Sequence, residues 1–278
     1  MTELIDRYAV FGNPIEHSKS PQIHTLFAQQ TGQHMVYIAE LVAPGHFVEA
    51  VDDFIAHNGK GLNITVPFKE EAWARADSRS ARAQRAGAVN TLKLMDDDSL
   101  FGDTTDGVGL VRDLIQNHGI QLSGKNLLLI GAGGAVRGVL EALLEQQPAS
   151  LLITNRTKAR AVQLAKDFAD LGPVQGCGLD EVEDSFDIVI NGTSASLQGN
   201  LPALPGSIFK PGCTSYDMMY AAQPTAFMQW SVENGATRVF DGLGMLVEQA
   251  AESFYIWRGV KPETGSVIQA IRELLTKA

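Results

Sequence analysis

Cysteine is nearly absent from this chain: Cys177 and Cys213 are the two among 278 residues. Two thiols build no disulfide framework, and no Cys/His cluster with metal-ligand spacing accompanies them, so no metal is expected. Long apolar runs are missing too. No uncharged stretch reaches the roughly 20 residues that span a bilayer, and the opening segment Met1 to Arg7 lacks the apolar core of a signal peptide. No membrane partner is expected, and the expected compartment is the cytoplasm. Basic residues are outnumbered, 22 Lys and Arg against 32 Asp and Glu, for a net charge of −10. That balance argues against nucleic acid as a partner. It also means that any anion site is assembled locally from a few cations and backbone N–H groups. Internal repeats and low-complexity segments are absent.

What is present fits a folded α/β protein, with 45% hydrophobic and 19% charged residues. The length suits one large or two ordinary domains. Strand-like runs (8–12, 36–41, 61–65) alternate with helical segments, and 91–95 with 100–102 read as a hairpin around Asp96-Asp-Asp-Ser99. Ser20 and Pro21 read as the N-cap and first position of a helix that Gly32 closes. Further strands are expected at 126–130, 150–154, 188–191, 214–217 and 238–240, and two helices at 243–257 and 264–276. This alternation predicts two α/β domains with mostly parallel sheets. The expected boundaries are residues 1–106, completed by the C-terminal helices 243–278, and a Rossmann-type dinucleotide-binding domain at 107–242, with a ligand cleft between them.

Asn126-Leu-Leu-Leu-Ile-Gly-Ala-Gly-Gly-Ala-Val-Arg137 carries the sharpest local signal. An apolar run ends in a glycine-rich turn and a helix follows, the context a dinucleotide fingerprint requires. Gly131 permits the tight turn, Gly133 lets backbone approach a pyrophosphate, and the helix N-terminus offers free N–H groups. A bare turn between strand and helix has the same pattern, but the context favours a nucleotide. The next apolar run ends in Asn155-Arg156-Thr157. An NAD site places a carboxylate there; here Arg156 stands instead, with Arg160 one turn on, and a guanidinium suits a 2′-phosphate. The expected cofactor is NADP. Thr157 doubles as a candidate N-cap.

A second set of polar residues lies in the first half. Ser18 and Ser20 follow the first strand, Asn63 and Thr65 alternate along another and so share a face, Lys69 opens a helix, Asn90 follows Gly87-Ala-Val89, and Asp106 precedes Gly107. Each has a structural use: Ser20 as a cap, Asp106 as a cap for the helix from Gly107, Lys69 as a solvated surface charge. Together they are what a polyhydroxylated ligand demands, because each buried hydroxyl needs a partner.

Gly12-Asn-Pro-Ile-Glu-His-Ser-Lys-Ser-Pro21, Asn63-Ile-Thr-Val-Pro-Phe-Lys69, Gly87-Ala-Val-Asn-Thr91, Asp106-Gly107, Gly131-Ala-Gly-Gly-Ala135, Asn155-Arg-Thr157 and Asp241-Gly-Leu-Gly-Met-Leu-Val-Glu-Gln249, taken in order, resemble the shikimate dehydrogenases of the bacterial biosynthetic type. The resemblance runs nearly the whole length. It implies NADP-dependent interconversion of 3-dehydroshikimate and shikimate in aromatic amino-acid biosynthesis. It assigns catalytic roles to Lys69 and Asp106, and substrate contacts to Ser18, Ser20, Asn63, Thr65, Asn90, Asp106, Tyr220 and Gln249. It assigns cofactor contacts to Gly131, Ala132, Gly133, Gly134, Ala135, Asn155, Arg156, Thr157, Arg160, Met218 and Gly242. Ala81 stands where family members often carry an acidic residue, so no role is carried to it, and Val136 stands where smaller residues are usual.

In the reducing direction an alkoxide develops at the substrate's C3 oxygen. A protonated lysine beside it supplies stabilisation and the proton, and a neighbouring aspartate favours and orients the charged lysine. One alternative is a quinate/shikimate dehydrogenase or related cyclitol-acid oxidoreductase, against which Arg156 weighs. Another is a non-catalytic ligand-sensing paralogue, against which the intact Lys69 and Asp106 weigh. Monomer and homodimer are both compatible with the sequence.

Overall fold

Tyr8–Gly12 is an unbroken buried run, and it becomes the strand around which the first of two units is built. The computed structural model describes residues 5–277. The chain divides into a unit running to Gly109 and resuming at Val247–Ile271, and a unit of Leu110–Leu246 with the residues from Arg272 onward.

The first unit contains β1 (Asp6–Gly12), α1 (Ser20–Thr31), β2 (Met35–Leu41), α2 (Phe47–Ala56), β3 (Gly59–Ile64), α3 (Lys69–Arg75), β4 (Ser78–Arg79), α4 (Ala81–Ala86), β5 (Thr91–Leu94) and β6 (Leu100–Asp103). The sheet order is β2-β1-β3-β5-β6-β4. β1 runs parallel to β2 and β3, β4 is parallel to β6, and the hairpin strand β5 is antiparallel to both neighbours. One face packs Phe11, Leu62 and Ile64 against Phe47, Val51 and Phe54 of α2, whose spacing makes one helical stripe. Each fully buried Phe of this kind contributes about 1.5–3 kcal/mol. Tyr8, Val10 and Tyr37 instead pack with Trp257, which α9 (Leu243–Arg258) brings back to this unit.

The second unit begins within α5 (Asp106–Arg112), which runs on into a π-helical turn over Asp113–Asn117. β7 (Asn126–Ile130), α6 (Gly134–Leu144), β8 (Ser150–Asn155), α7 (Lys158–Asp167), β9 (Val174–Gly178), β10 (Phe186–Asn191), β11 (Phe209–Asp217), α8 (Ala226–Glu233) and β12 (Arg238–Asp241) follow. The sheet order is β12-β11-β10-β7-β8-β9, parallel throughout. Strand order reverses beside β7, so its carboxyl end is the switch point at which open α/β sheets bind ligands. The last helix, α10 (Gly265–Lys277), places Arg272 against Asp241, with guanidinium–carboxylate distances of 2.7 and 2.5 Å, which ties the end of the chain to this unit. Among the described residues no helix is long and apolar enough to cross a membrane.

Several local expectations are corrected. The N-cap of α1 is Lys19, not Ser20; Ser20 is the first helical residue and is buried. Thr65 lies one residue past the end of β3, although its N–H still bonds Phe11 O at 2.9 Å. Asp106 is itself the first residue of α5 rather than a cap before Gly107. Thr157 holds the N-cap position of α7 without a side-chain cap bond. β9 has no counterpart among the expected strands, because Val174-Gln-Gly-Cys-Gly178 has neither an apolar run nor alternation; tertiary packing makes it an edge strand. A Cβ on Gly176 would stand 2.3 Å from Ala161 O, so a residue that reads as a strand breaker is what lets α7 cross β9.

Candidate active site

Parallel pairing of β1 and β3 puts the segments after them on one edge of the first sheet. Asn13 N–H bonds Val66 O at 2.9 Å, and a Cβ on Gly12 would stand 2.4 Å from Thr65 Cγ2. The loop bearing half-buried Ser18 and buried Ser20 therefore lies beside Thr65. β5 is antiparallel to β3, and β6 antiparallel to β5, with Thr91 opposite both Asn63 and Asp103. This register carries the start of β5 and the end of β6 to the same edge. Asn90, Thr105 and Asp106 arrive there from far apart in sequence, and Val89 N–H bonds Lys69 O at 2.9 Å to close the set.

Lys69 Nζ lies 2.5 Å from Asp106 Oδ2, with side-chain exposures of 21% and 12%. Asn90 donates to the other carboxylate oxygen at 2.8 Å. Gln249 of α9 presents Oε1 to Asn90 Nδ2 at 3.3 Å and to Thr105 Oγ1 at 3.2 Å. Asn63 is buried and its amide is spent inside the protein: Oδ1 accepts from Tyr37 OH at 2.8 Å, and Nδ2 faces Asn90 O, Thr91 Oγ1 and Ser253 Oγ at 3.0–3.2 Å. Sequence reasoning does not single out Thr91, Thr105, Tyr37 or Ser253. Their common signal is polarity at positions that the fold buries.

Beneath this edge His24 is fully buried and stacked on Tyr37, ring centroids 4.1 Å apart. Burial drives its pKa down to about 3, partly opposed by the Asn63 side chain. Burial likewise raises the Tyr37 phenol well above its ordinary value.

In the second unit Gly131 follows β7 with φ +113°, a conformation that favours glycine, and its N–H bonds Thr154 O at 2.7 Å. The N-cap of α6 is Gly133, so no side chain covers the first N–H groups of the helix. A Cβ built on Gly133 or Gly134 meets no atom within 4 Å, which leaves an open cradle beside Ala132 and Ala135. Val136 is fully buried, and its Cγ2 would lie 2.4 Å from a Cβ on Gly192. Glycine at 192 thus makes room for the larger residue at 136. At the end of β8, Asn155 Nδ2 bonds Thr157 O at 3.0 Å. Arg156 and Arg160 are exposed and enter no ion pair among the described residues, while neighbouring Lys158 pairs with Glu181, and Arg137 with Asp167. Two uncommitted guanidiniums beside an open glycine cradle and a bare helix N-terminus fit a dinucleotide carrying an extra phosphate.

Met218 and Gly242 touch: a Cβ on Gly242 would stand 2.2 Å from Met218 O. Tyr220 lies just past β11 in this unit, its phenol pKa raised by burial and by Asp241. Buried Asp217 accepts from Asn191 Nδ2 at 2.9 Å, Met219 N at 3.1 Å and Thr225 Oγ1 at 2.6 Å. Burial raises its pKa and these donors oppose the rise.

The chain is similar to known proteins along nearly its whole length. Residues 10–92 match the shikimate dehydrogenase substrate binding domain, 113–198 the shikimate/quinate 5-dehydrogenase domain, and 242–272 the shikimate 5′-dehydrogenase C-terminal domain. A shikimate dehydrogenase (NADP(+)) of Alkalilimnicola ehrlichii is 59% identical over 269 residues, 97% of this chain and 99% of that one. The chain belongs to the shikimate dehydrogenase family. Another family relative, from Vibrio cholerae, is 53% identical over the full length of both chains. Among solved structures, an Ael1 enzyme from Pseudomonas putida superposes with a TM-score of 0.91 at 44% identity, covering 95% of this chain and 97% of that one. Shikimate 5-dehydrogenase from Thermus thermophilus, solved with NADP(H) and shikimate, gives 0.87 at 31% identity over 97% and 100%. Both units therefore carry the family's architecture, an N-terminal substrate domain and a Rossmann-like domain.

Proposed function

We infer that this chain is an NADP-dependent oxidoreductase that interconverts 3-dehydroshikimate and shikimate, a step of aromatic amino-acid biosynthesis, and that it acts in the cytoplasm. The observation that carries the chemistry is the Lys69–Asp106 pair, held from its far side by Asn90. The full-length similarity to NADP(+) enzymes supports the substrate class. The quinate and ligand-sensing alternatives are not favoured by these relatives.

In our reading NADPH, when bound, supplies the hydride, and the residues do the rest. Lys69 Nζ donates the proton to the oxygen of the carbonyl being reduced and stabilises the negative charge that develops on it. Asp106 holds Lys69 at one oxygen and accepts a substrate hydroxyl. Asn90 and Gln249 orient the ring hydroxyls. Ser18, Ser20 and Thr65 hold the substrate carboxylate side, and Asn63 acts from behind them. Tyr220 is carried over as a substrate contact from the resemblance, with burial raising its phenol pKa. The cradle 131–135, with Gly133 and Gly134 open, would hold the pyrophosphate of the cofactor, Asn155, Arg156, Thr157 and Arg160 would hold its adenosine and 2′-phosphate, and Met218 and Gly242 would hold its nicotinamide end.

The test is a steady-state assay of cofactor reduction with shikimate and quinate, each with NADP and NAD. Turnover with shikimate and NADP well above the other three combinations is expected. Faster turnover of quinate, or no turnover of either acid, sinks the assignment.

A further inference from the structure

The bonds behind Asp106 have a direction that can be read from atom chemistry. A backbone N–H can only donate. Thr105 N lies 2.9 Å from Asn90 Oδ1, so that atom is the amide oxygen, and the amide nitrogen is the one turned to Asp106 Oδ1. Thr91 Oγ1 lies 2.9 Å from the same amide oxygen, which only accepts, so the single Thr91 hydroxyl proton points there. Thr91 is then an acceptor toward Ser253 Oγ, 2.8 Å away, and Ser253 is the donor. Its other contacts, Gln249 O at 3.1 Å and Thr105 Oγ1 at 3.3 Å, are both longer than the 2.8 Å to Thr91. Ser253 Oγ accepts from Asn63 Nδ2 at 3.0 Å, and Asn63 Oδ1 accepts from Tyr37 OH at 2.8 Å. The Asn63 amide cannot be flipped, because its nitrogen also meets the carbonyl of Asn90 at 3.1 Å.

The result is one file of donors, Tyr37 to Asn63 to Ser253 to Thr91 to Asn90, every proton aimed along the file toward the Asp106 carboxylate. Thr91 and Ser253 are fully buried, and both asparagines are more than nine-tenths buried. Bonds of this kind polarise one another in a low-dielectric interior, and a break leaves unpaired groups on both sides of it.

We propose that Thr91 and Ser253 are positioning residues for the Lys69–Asp106 pair: they fix the Asn90 amide with its nitrogen on Asp106, and through Asp106 they aim Lys69 Nζ. Neither hydroxyl reaches Asp106 or Lys69 directly; they act through Asn90. The inference rests on Lys69 and Asp106 being the proton-handling pair.

Thr91→Val keeps the side-chain shape and removes the hydroxyl, whereas Thr91→Ser keeps the hydroxyl and removes a methyl group. Turnover is measured on the full chain per NADPH-binding site, counted by fluorescence titration, so that loss of folded protein does not enter. Thr91→Val should lose about tenfold to a hundredfold in kcat, as expected when a catalytic group is misplaced by a fraction of an ångström to one ångström. Its shikimate KM should move by no more than a few-fold, and Thr91→Ser should retain most of kcat even if its Tm is the lower of the two. A packing role predicts the reverse ranking. Wild-type kcat in Thr91→Val, or an equal loss in Thr91→Ser, overturns the proposal. Should Thr91→Val not fold, Ser253→Ala decides alone: an undiminished kcat refutes the relay. Lys69→Ala in the same series separates the two levels, since normal turnover there defeats the catalytic assignment itself, while a dead Lys69→Ala beside a fully active Thr91→Val defeats only the relay.

Discussion

Lys69 and Asp106 are 37 positions apart in the chain and 2.5 Å apart at their charged atoms, with Asn90 gripping the carboxylate oxygen that Lys69 leaves free. A lysine so held acts on charge that exists in the transition state more than in the bound substrate. Lys69→Ala should lose about 10²–10⁴-fold in kcat with a modest change in shikimate KM. Steady-state kinetics check it; near-normal kcat with a large KM increase would show a binding role only.

Arg156 is exposed and free of ion pairs among the described residues, next to a lysine that is already committed to Glu181. Arg156→Ala should weaken NADP binding by about tenfold to a hundredfold and NAD binding far less, since NAD has no 2′-phosphate to lose. Isothermal titration of both cofactors decides it. An equal loss for both would place Arg156 on the adenine or in the fold.

Gly242 leaves no room for a side chain, because Met218 O would lie 2.2 Å from its Cβ. The obstacle is backbone, which yields poorly. Gly242→Ala should destabilise the protein by about 1–3 kcal/mol, the usual cost of overpacking, and weaken NADP binding. Thermal melts with and without NADP test both parts; an unchanged melting temperature would mean that the β11–β12 ends move freely.

Ser18 and Ser20 separate ligand binding from structure. Ser18 is half-buried, and among the described residues its Oγ accepts a long 3.3 Å bond from Ser20 N, while Ser20 is buried. Ser18→Ala should raise the shikimate KM and leave the melting temperature nearly unchanged. Ser20→Ala should raise KM and also lower stability, through the loss of a buried side-chain group at the start of α1 rather than a helix cap. If the stability loss falls on Ser18 instead, the loop is placed wrongly relative to the substrate.

His24 makes stability depend on pH. Its folded pKa of about 3 lies below the ordinary 6.5, so the unfolded chain takes up the proton first. Its contribution is complete above pH 6.5 and is lost as pH falls toward 3, at most about 1.4 kcal/mol per pH unit for one proton. Against His24→Phe, the wild type should lose relative stability across that window. Parallel melting curves over the whole range would show that His24 does not titrate on unfolding.

Much of this protein is legible without coordinates. The glycine loop after Asn126–Ile130, the arginine in place of a carboxylate at 156, and the strand–helix alternation are local patterns, and local chemistry gives them their meaning: glycine for a left-handed turn, a guanidinium for a phosphate. Sequence alone also points to Lys69, Asn90 and Asp106, through motif rather than geometry. Tertiary structure decided what depends on partners distant in the chain. The Gly- and Cys-bearing segment 174–178 became a strand only because β8 offered an edge and α7 needed Gly176. Ser20 lies inside α1 rather than at its cap, because the chain turns into the helix at Lys19 and the fold buries the next side chain. Thr91 closes the Gly87–Thr91 motif without a role of its own in the sequence and Ser253 lies in no motif, yet they lie 2.8 Å apart across 162 positions. A hydroxyl's proton direction is fixed only by its neighbours, and those neighbours exist only once the chain has folded.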